Sequence, residues 1–279
     1  MITIALDTDI GTDVDDLLAL ATILGSPELD LQAVTTVYGD TKLRARIVHR
    51  AHTLAGRPAP PVAAGARETR SGKPVWWAGH EGALMPNLER EPLDESLDAT
   101  ALLCDSPVIA GVGPIPNLAN ALQGPNNIKQ LLIMGGDFCA TTPEHNISCD
   151  VVAAQAVFGT GIPALVTGLD QTERVVLDQT QIEAIGASGP LGTQLAAEIH
   201  QFRKWLGRPD SPHDAVAVLA RMRPELFTFT TGTIHVDDDG NTNLEPHNDG
   251  PHHVVTDLDS TTVAHELASR IRRASAALR

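Results

Sequence analysis

The sequence predicts a single α/β domain, residues 1–279, in which helices flank a mostly parallel central sheet. Short apolar runs rich in Val, Ile and Leu recur along the 279 residues, and stretches with apolar residues at three- and four-residue spacing separate them. This alternation is typical of βαβ units. Because ligands of open α/β sheets bind beyond the carboxyl ends of the strands, we expect the functional residues in the loops that follow the strands.

The individual elements follow from the same patterns. Six apolar runs are predicted strands: Ile2–Leu6, Leu31–Val37, Val62–Ala64, Val108–Val112, Gln130–Met134 and Ala164–Thr167. Five amphipathic stretches are predicted helices: Asp15–Leu24, Leu43–Leu54, Leu118–Leu122, Val151–Phe158 and Gln194–Trp205. Further on, the patterns predict a strand, a hairpin turn and an amphipathic helix at Phe227–Val236, Asp237–Gly240 and Thr262–Leu278. The segment Arg67–Leu93 is rich in Gly and Pro and lacks periodicity, and long loops of this kind are usually functional.

Charge and composition narrow the class of protein. The chain has 20 Lys and Arg against 35 Asp and Glu, a formal net charge of −15, which argues against a nucleic-acid partner. No apolar run reaches the ~18 residues of a membrane span, and Met1–Leu6 leads directly into acidic residues rather than into a leader sequence. The three cysteines form no C-x-x-C pair. We therefore expect a soluble, cytoplasmic protein without nucleic-acid or membrane partners.

The loop after the first predicted strand is densely acidic. Asp7, Asp9, Asp13, Asp15 and Asp16 place five carboxylates within ten residues. Like charges at this density repel one another unless a cation neutralises them, and all-oxygen ligands select a hard ion such as Ca²⁺ or Mg²⁺. The alternative is a solvated acidic turn in which Asp15 caps the next helix.

A second group of polar residues lies far along the chain. His213 and Asp214 follow Pro212 and open an apolar helix, so both side chains belong to a helix N-terminus that faces a loop. Alone, Asp214 could be only a favourable helix charge and His213 only a surface residue. Together with the acidic loop, the pair becomes a stronger indication of a site.

These two groups together resemble the motifs of the inosine–uridine-preferring nucleoside hydrolase family, and the resemblance extends from Asp7 to Val218. It implies the family's fold, one α/β domain on a mostly parallel core sheet. It also implies the family's activity, the hydrolysis of the N-glycosidic bond of ribonucleosides with a bound Ca²⁺. For such an enzyme we expect a role in purine or pyrimidine salvage and a homodimeric or homotetrameric state.

The resemblance also implies a set of metal-site residues. Asp9 resembles the family's metal ligand that serves as general base, and Asp16 resembles the second carboxylate ligand. Asp214 would be the third acidic ligand, and Asp15 would hold a ribose hydroxyl. The segment 111–117 resembles the family's T-G-x-L-T-N stretch, so Val112 would offer its backbone carbonyl to the metal.

Further resemblances concern the substrate. Glu144, His145 and Asn146 resemble the family's E-F-N segment, whose Glu and Asn bind the ribose. His213 would lie beside the leaving base. No counterpart is found for one Asn that many members place before this Glu.

The chain also departs from the family pattern. The usual loop is D-x-D-P-G-x-D-D, whereas here Ile10 replaces Pro and two additional residues, with the extra acid Asp13, precede Asp15. Asp40 stands where many members have Asn. As a sugar contact it would accept but not donate hydrogen bonds, and it would disfavour phosphorylated or carboxylated sugars. The alternative is that Asp40 caps the helix beginning near Leu43.

Several aromatic and histidine residues allow two interpretations each. Trp76 and Trp77 in the irregular loop stack on the nucleobase or hold that loop to the body of the protein. His80 lines the site or belongs to a structural turn. Three further histidines, His247, His252 and His253, have no regular metal-ligand spacing, and we interpret them as a solvated hairpin loop.

The implied ligand set favours hydrolysis by a metal-bound water, with Asp9 as the acceptor of its proton. Oxocarbenium character on the sugar would be stabilised by the carboxylates, and the base would leave with help from His213 or from aromatic stacking. Two alternatives are a Ca²⁺-dependent sugar-binding protein and a metal-dependent, phosphatase-like hydrolase. A binding module does not need a His beside a metal ligand, and phosphoryl transfer favours Lys or Arg near the acids, of which the first loop has none.

Overall fold

A nine-stranded sheet forms the centre of the computed structural model, which describes residues 1–140 and 142–275. Its strands are β1 Ile2–Thr8, β2 Leu29–Thr36, β3 Val62–Ala64, β4 Val108–Gly111, β5 Gln130–Met134, β6 Ala164–Thr167, β7 Phe227–Val236, β8 Thr242–Pro246 and β9 His252–Leu258. The strand order is β3-β2-β1-β4-β5-β6-β9-β7-β8. Strands β1 to β6 pair in parallel and β9 is parallel to β6, whereas β7 is antiparallel to both β8 and β9.

Helices cover both faces of the sheet. They are α1 Asp15–Leu24, α2 Thr41–Leu54, α3 Ala99–Cys104, α4 Pro116–Ala121, α5 His145–Cys149, α6 Val151–Gly159, α7 Leu169–Thr172, α8 Gln179–Gly186, α9 Pro190–Leu206, α10 His213–Met222 and α11 Ser260–Ser275. Short 3₁₀ turns lie at Leu88–Arg90 and Pro224–Leu226. Within the described ranges, no helix combines the length and the apolarity that crossing a membrane requires.

The core lies on both sides of the sheet because successive strand residues point to opposite faces. In β1, Ile4 and Leu6 belong to the core that α1, α10 and α11 cover, whereas Ala5 belongs to the core under α4 and α6. All three side chains are fully buried. Burial on two faces explains why the central strands are continuous apolar runs rather than alternating ones.

The predicted elements are present with small changes at their ends. Four strands have the predicted bounds: Val62–Ala64, Gln130–Met134, Ala164–Thr167 and Phe227–Val236. The helix predicted from Leu43 begins at Thr41, and the helix predicted from Gln194 begins at Pro190, because helix N-terminal turns carry little apolar periodicity. The last helix begins at Ser260; the predicted residues 276–278 lie outside the described residues.

The interpretation of the late histidines as a solvated loop was wrong for His252 and His253, which begin strand β9. The His252 ring is fully buried, and its Nδ1 accepts a hydrogen bond from the Ile234 backbone N–H at 2.8 Å. It also meets the Phe158 ring edge-on, with centroids 5.4 Å apart. His253 is exposed and His247 follows β8 in a turn. Because polar residues are mixed with the apolar ones in β9, its sequence does not show the clear apolar alternation that predicts a strand.

Candidate active site

Five carboxylates meet in one cavity at the carboxyl ends of the parallel strands. Asp9, Asp13, Asp15, Asp16 and Asp214 line this cavity, here named the acidic cavity, whose volume is 210 Å³. The first four come from the β1–α1 connection and the start of α1, and the last comes from the first turn of α10. The two distant groups that the sequence singled out are therefore brought together.

Helix termini account for part of this arrangement. Asp15 and Asp16 begin α1 and Asp214 is the second residue of α10, and the positive end of a helix dipole favours a carboxylate there. Thr8 at the end of β1 donates a short hydrogen bond to Asp16. Gly113 lies against Asp9 so closely that a Cβ atom would collide with the carboxylate, so the chain at this point requires glycine.

Burial makes these carboxylates costly to ionise together. Burial raises the pKa of Asp15, Asp16 and Asp214 well above the usual range, and the neighbouring carboxylates raise it further. Oxygens of Asp13, Asp15 and Asp16 come within 4.8 Å of one another. A divalent cation would offset this repulsion, and an all-carboxylate set matches a hard ion. The residues present therefore fit a site for a hard divalent cation, and the three carboxylates that come within 4.8 Å of one another include Asp13 and Asp15 beside Asp16 of the expected set.

A cation that sequence reasoning missed lies beneath the acidic loop. Arg44 of α2 is fully buried, and its Nη2 lies 3.9 Å from Oδ2 of Asp9. Its Nε donates to the Tyr38 carbonyl at 2.7 Å and its Nη1 donates to the Ile10 carbonyl at 2.9 Å. Burial raises the pKa of Asp9, and Arg44 opposes that rise. The first loop itself contains no basic residue, as the sequence shows, but the neighbouring helix supplies one.

Asp7, the first acid of the loop, is structural. Its Oδ1 accepts hydrogen bonds from the Thr35 hydroxyl at 2.6 Å and from Asn117 Nδ2 at 2.8 Å, and burial raises the pKa of Asp7 to about 7. Asn117 also accepts from the Ala66 backbone N–H. Asp7 thus links the ends of β1 and β2 to the start of α4 and holds the loop that carries Asp9.

Glu144 and Asn146 also line the acidic cavity. The Glu144 carboxylate caps α5 by accepting from the backbone N–H groups of Asn146 at 2.7 Å and Ile147 at 3.1 Å, and burial raises its pKa. Asn146 Nδ2 donates to the Val112 carbonyl at 3.0 Å. A carbonyl oxygen has two lone pairs, so this bond leaves Val112 one for a metal.

His213 lines the same cavity beside Asp214. One ring nitrogen, Nδ1, is 2.6 Å from the Thr172 hydroxyl, which fixes the orientation of the imidazole. Among the described residues Nε2 has no hydrogen-bond partner. Burial lowers the pKa of His213, so the neutral ring is favoured, and neutral imidazole carries one proton that it can hold or transfer.

The two loop tryptophans have different positions. Trp76 lines the acidic cavity and meets the His145 ring edge-on at a centroid distance of 6.0 Å. Trp77 does not line it; its ring covers the Arg44 guanidinium, with Cζ 5.0 Å from the ring centroid. Trp77 therefore holds the loop to the body of the protein, the alternative considered for both residues.

His80 and Asp40 are also outside the acidic cavity. A ring nitrogen of His80 lies 2.6 Å from the Thr12 carbonyl, and the residue lines an adjoining cavity of 140 Å³. Asp40 is exposed, and its side chain accepts from the Leu43 backbone N–H at 3.1 Å, so it caps α2. The structure thus favours the capping interpretation of Asp40, because the carboxylate is committed to the helix start rather than to the cavity.

Sequence analysis assigned no role to several residues that line the acidic cavity, among them Tyr38, Phe202 and Trp205, and it named His145 only as the middle residue of the E-F-N-like segment. Phe202 and Trp205 belong to α9 and stack on each other at a centroid distance of 5.6 Å. In the sequence they have the apolar spacing of an amphipathic helix, which is the spacing that core residues also show. Exposure is what distinguishes Trp205, which is 56% exposed.

The chain is similar to known proteins along most of its length. The family model described as inosine-uridine preferring nucleoside hydrolase matches residues 4–265. The non-specific ribonucleoside hydrolase RihC of Escherichia coli strain SMS-3-5 is 32% identical over 180 residues, which are 54% of this chain and 59% of that protein. The matched stretch therefore spans less than two thirds of the relative.

Solved structures match over a greater length. A plant nucleoside hydrolase, the PpNRh1 enzyme, superposes with a TM-score of 0.81 at 28% identity, covering 96% of this chain and 98% of that one. A purine-preferring ribonucleoside hydrolase from Gardnerella vaginalis gives 0.81 at 26% identity, covering 98% and 99%. Because the family model matches residues 4–265 of this chain, the chain belongs to the inosine-uridine preferring nucleoside hydrolase family.

Proposed function

We propose that this protein hydrolyses the N-glycosidic bond of ribonucleosides to free base and ribose, with Ca²⁺ at the acidic cavity. The observation that carries the proposal is the meeting of Asp9, Asp16 and Asp214 with Glu144 and Asn146 around one cavity. The relatives named above are ribonucleoside hydrolases by their descriptions, which supports the same reaction class here.

The metal would be held by Asp9, Asp16, Asp214 and the Val112 carbonyl. When bound there, Ca²⁺ lowers the pKa of water and holds vicinal hydroxyls of a sugar. Asp9 is the proposed acceptor of the proton of the attacking water, since Arg44 favours its ionised form against the effect of burial. Asp15 is the proposed partner of a ribose hydroxyl.

The remaining side chains bind the sugar and help the base to leave. Glu144 and Asn146 line the same cavity as His213 and are the proposed ribose contacts, the role that the family resemblance implies. As the C–N bond breaks, positive charge grows on the sugar, and the surrounding carboxylates stabilise it. His213 can transfer a proton to the departing base, and Trp76 offers an aromatic face at the rim.

We also propose a cytoplasmic role in base salvage and assembly as a homodimer or homotetramer. The three cysteines, Cys104, Cys139 and Cys149, are free thiols in the structure, which agrees with a reducing compartment. Size-exclusion chromatography with light scattering measures the assembly.

The test is release of reducing sugar from a panel of ribonucleosides, with and without a chelator and after addition of Ca²⁺. We expect chelation to abolish turnover and Ca²⁺ to restore it, and Asp9→Ala to lose both turnover and Ca²⁺ binding in calorimetry. A metal-free sample that keeps full turnover would exclude the Ca²⁺ site. If Asp9→Ala raised only KM, Asp9 would be a substrate contact and not the base.

A further inference from the structure

A second pocket adjoins the acidic cavity. Tyr38, Trp76 and His145 line both spaces, so the two are continuous. Lys73, Pro74, Ser148 and Cys149 complete this pocket, here named the side pocket, whose volume is 300 Å³. Its described lining contains no Asp or Glu, although six of these residues line the acidic cavity next to it.

Tyr38 places a buried hydroxyl between the two spaces. The residue is only 3% exposed, and its hydroxyl oxygen accepts from the Trp76 backbone N–H at 2.8 Å and lies 3.3 Å from the Cys149 sulfur. Burial and the contact with Cys149 raise the pKa of the Tyr38 phenol, so the hydroxyl keeps its proton at neutral pH.

Lys73 and His145 add further donors. Lys73 Nζ donates one hydrogen bond to the Ser148 carbonyl at 2.7 Å, which leaves two ammonium N–H groups. His145 Nε2 lies 3.5 Å from the Cys149 sulfur, and this contact raises the pKa of His145 to about 9. Together with the Tyr38 hydroxyl, Lys73 and His145 therefore place polar groups from three side chains and positive charge at neutral pH in the pocket.

The loop that carries Lys73 is fixed to the body of the protein. The Asp150 carboxylate accepts from the backbone N–H groups of Arg70 at 2.5 Å and Ser71 at 3.0 Å. The Thr69 hydroxyl donates to the Lys73 carbonyl at 2.8 Å and closes the turn. The donors are thus held in place before a ligand arrives, which lowers the entropy cost of binding.

We propose that the side pocket binds a phosphate monoester on the sugar, so that ribonucleoside 5′-monophosphates are substrates of the same site. This inference rests on the proposed function, in which Glu144 and Asn146 bind the ribose. His145, which lies between them in the chain, lines both spaces, so a substituent on the 5′ carbon of that ribose would reach the side pocket past its ring. A phosphate group offers acceptors only, and it matches a pocket lined by donors with no opposing carboxylate. Asp40, the acid expected to repel charged sugars, is outside both spaces.

The reaction remains a simple hydrolysis. The C1′–N bond breaks with its electron pair on the base, water supplies a hydroxyl group to C1′, and the remaining proton of that water ends on the base nitrogen. The phosphate ester bond stays intact, so the products are the free base and ribose 5-phosphate.

The first test compares kcat/KM for inosine and inosine 5′-monophosphate in the Ca²⁺-loaded protein. We expect both to be hydrolysed, and Lys73→Ala to lower the monophosphate-to-nucleoside ratio of kcat/KM by about tenfold, the loss of one charge-assisted contact. Lys73→Arg should restore most of the ratio. Lys129→Ala is the matched control, because Lys129 is exposed just before the amino end of β5, at the opposite edge of the sheet.

The second test does not depend on turnover. Calorimetry should show ribose 5-phosphate binding at least tenfold more tightly than ribose, with the advantage reduced in Lys73→Ala and kept in Lys129→Ala. The proposal is overturned if the monophosphate is neither hydrolysed nor a competitive inhibitor, or if ribose 5-phosphate binds no better than ribose. A protein that hydrolyses no nucleoside but prefers ribose 5-phosphate would overturn the proposed function and keep the phosphate pocket.

Discussion

The Arg44 guanidinium and the Asp9 carboxylate form a buried pair, with Nη2 and Oδ2 3.9 Å apart. The guanidinium also donates to the Ile10 carbonyl in the acidic loop and to the Tyr38 carbonyl after β2. Arg44 is thus both the cation nearest to Asp9 among the described residues and the bond between the acidic loop and the turn after β2.

Replacing Arg44 by Met should lower the free energy of unfolding by about 3–5 kcal/mol, because it leaves a buried carboxylate and two carbonyls without their partner. Urea denaturation of the metal-free protein measures the loss. Arg46→Met is the matched control on the same helix, since Arg46 forms no ion pair with a described residue. Equal losses of unfolding free energy in the two variants would show that the pair with Asp9 does not stabilise the fold.

Asp40→Ala should cost about 1 kcal/mol of stability and leave the ranking of nucleoside substrates unchanged, because it removes a helix cap. Asp40→Asn should cost less, since its side-chain oxygen can still accept from Leu43. Thermal unfolding and a substrate panel provide the two measurements. A reordered panel would mean that Asp40 contacts the substrate.

His213→Ala should lower kcat by about 10²–10⁴-fold for nucleosides whose base must be protonated to leave. For a p-nitrophenyl riboside, whose leaving group needs no proton, the loss should be much smaller. Thr172→Val tests the orientation of the ring, because Thr172 is the partner of Nδ1. It should also lower kcat more for nucleosides than for the p-nitrophenyl riboside, but by a smaller factor than His213→Ala. If both substrate types slowed equally, His213 would not be the acid.

His252 makes the fold sensitive to acid. Burial lowers the pKa of His252 to about 4, below the ordinary value of 6.5, so the unfolded chain takes up this proton first as the pH falls. Its contribution to stability is complete above pH 6.5 and is lost progressively as the pH falls toward 4, by on the order of 2 kcal/mol. His252→Asn keeps an acceptor for the Ile234 N–H and should flatten the stability curve in this window, measured by denaturation between pH 4 and 7. An unchanged curve would assign the acid sensitivity to other groups.

Sequence patterns predicted the parallel sheet and the carboxylate site because both depend on residue type and order. The run from Asp7 to Asp16 places five carboxylates directly after an apolar strand, and like charges at that density indicate a cation site. His213 and Asp214 were found for the same reason, a polar pair at the start of an apolar helix.

The roles of residues that depend on partners distant in the sequence could not be predicted from residue type and order. Arg44 lies on an amphipathic helix, where an arginine normally indicates a solvated face, and its burial depends on carbonyls of two other segments. Trp205 has the spacing of a core residue, and only its exposure in the folded chain identifies it as a cavity wall. For Asp40 the difficulty is different. An aspartate can cap a helix or contact a sugar, so the residue type alone does not distinguish the two roles.

The place of β9 in the sheet has a consequence for how the protein is made. This strand, His252–Leu258, lies between β6 and β7, so two stretches of chain synthesised earlier have no partner on those edges until it emerges from the ribosome. An unpaired strand edge in a nascent chain invites pairing with other chains. Nascent or truncated chains that stop before residue 252 should therefore aggregate or recruit chaperones, even though every proposed ligand of the acidic cavity has already been synthesised.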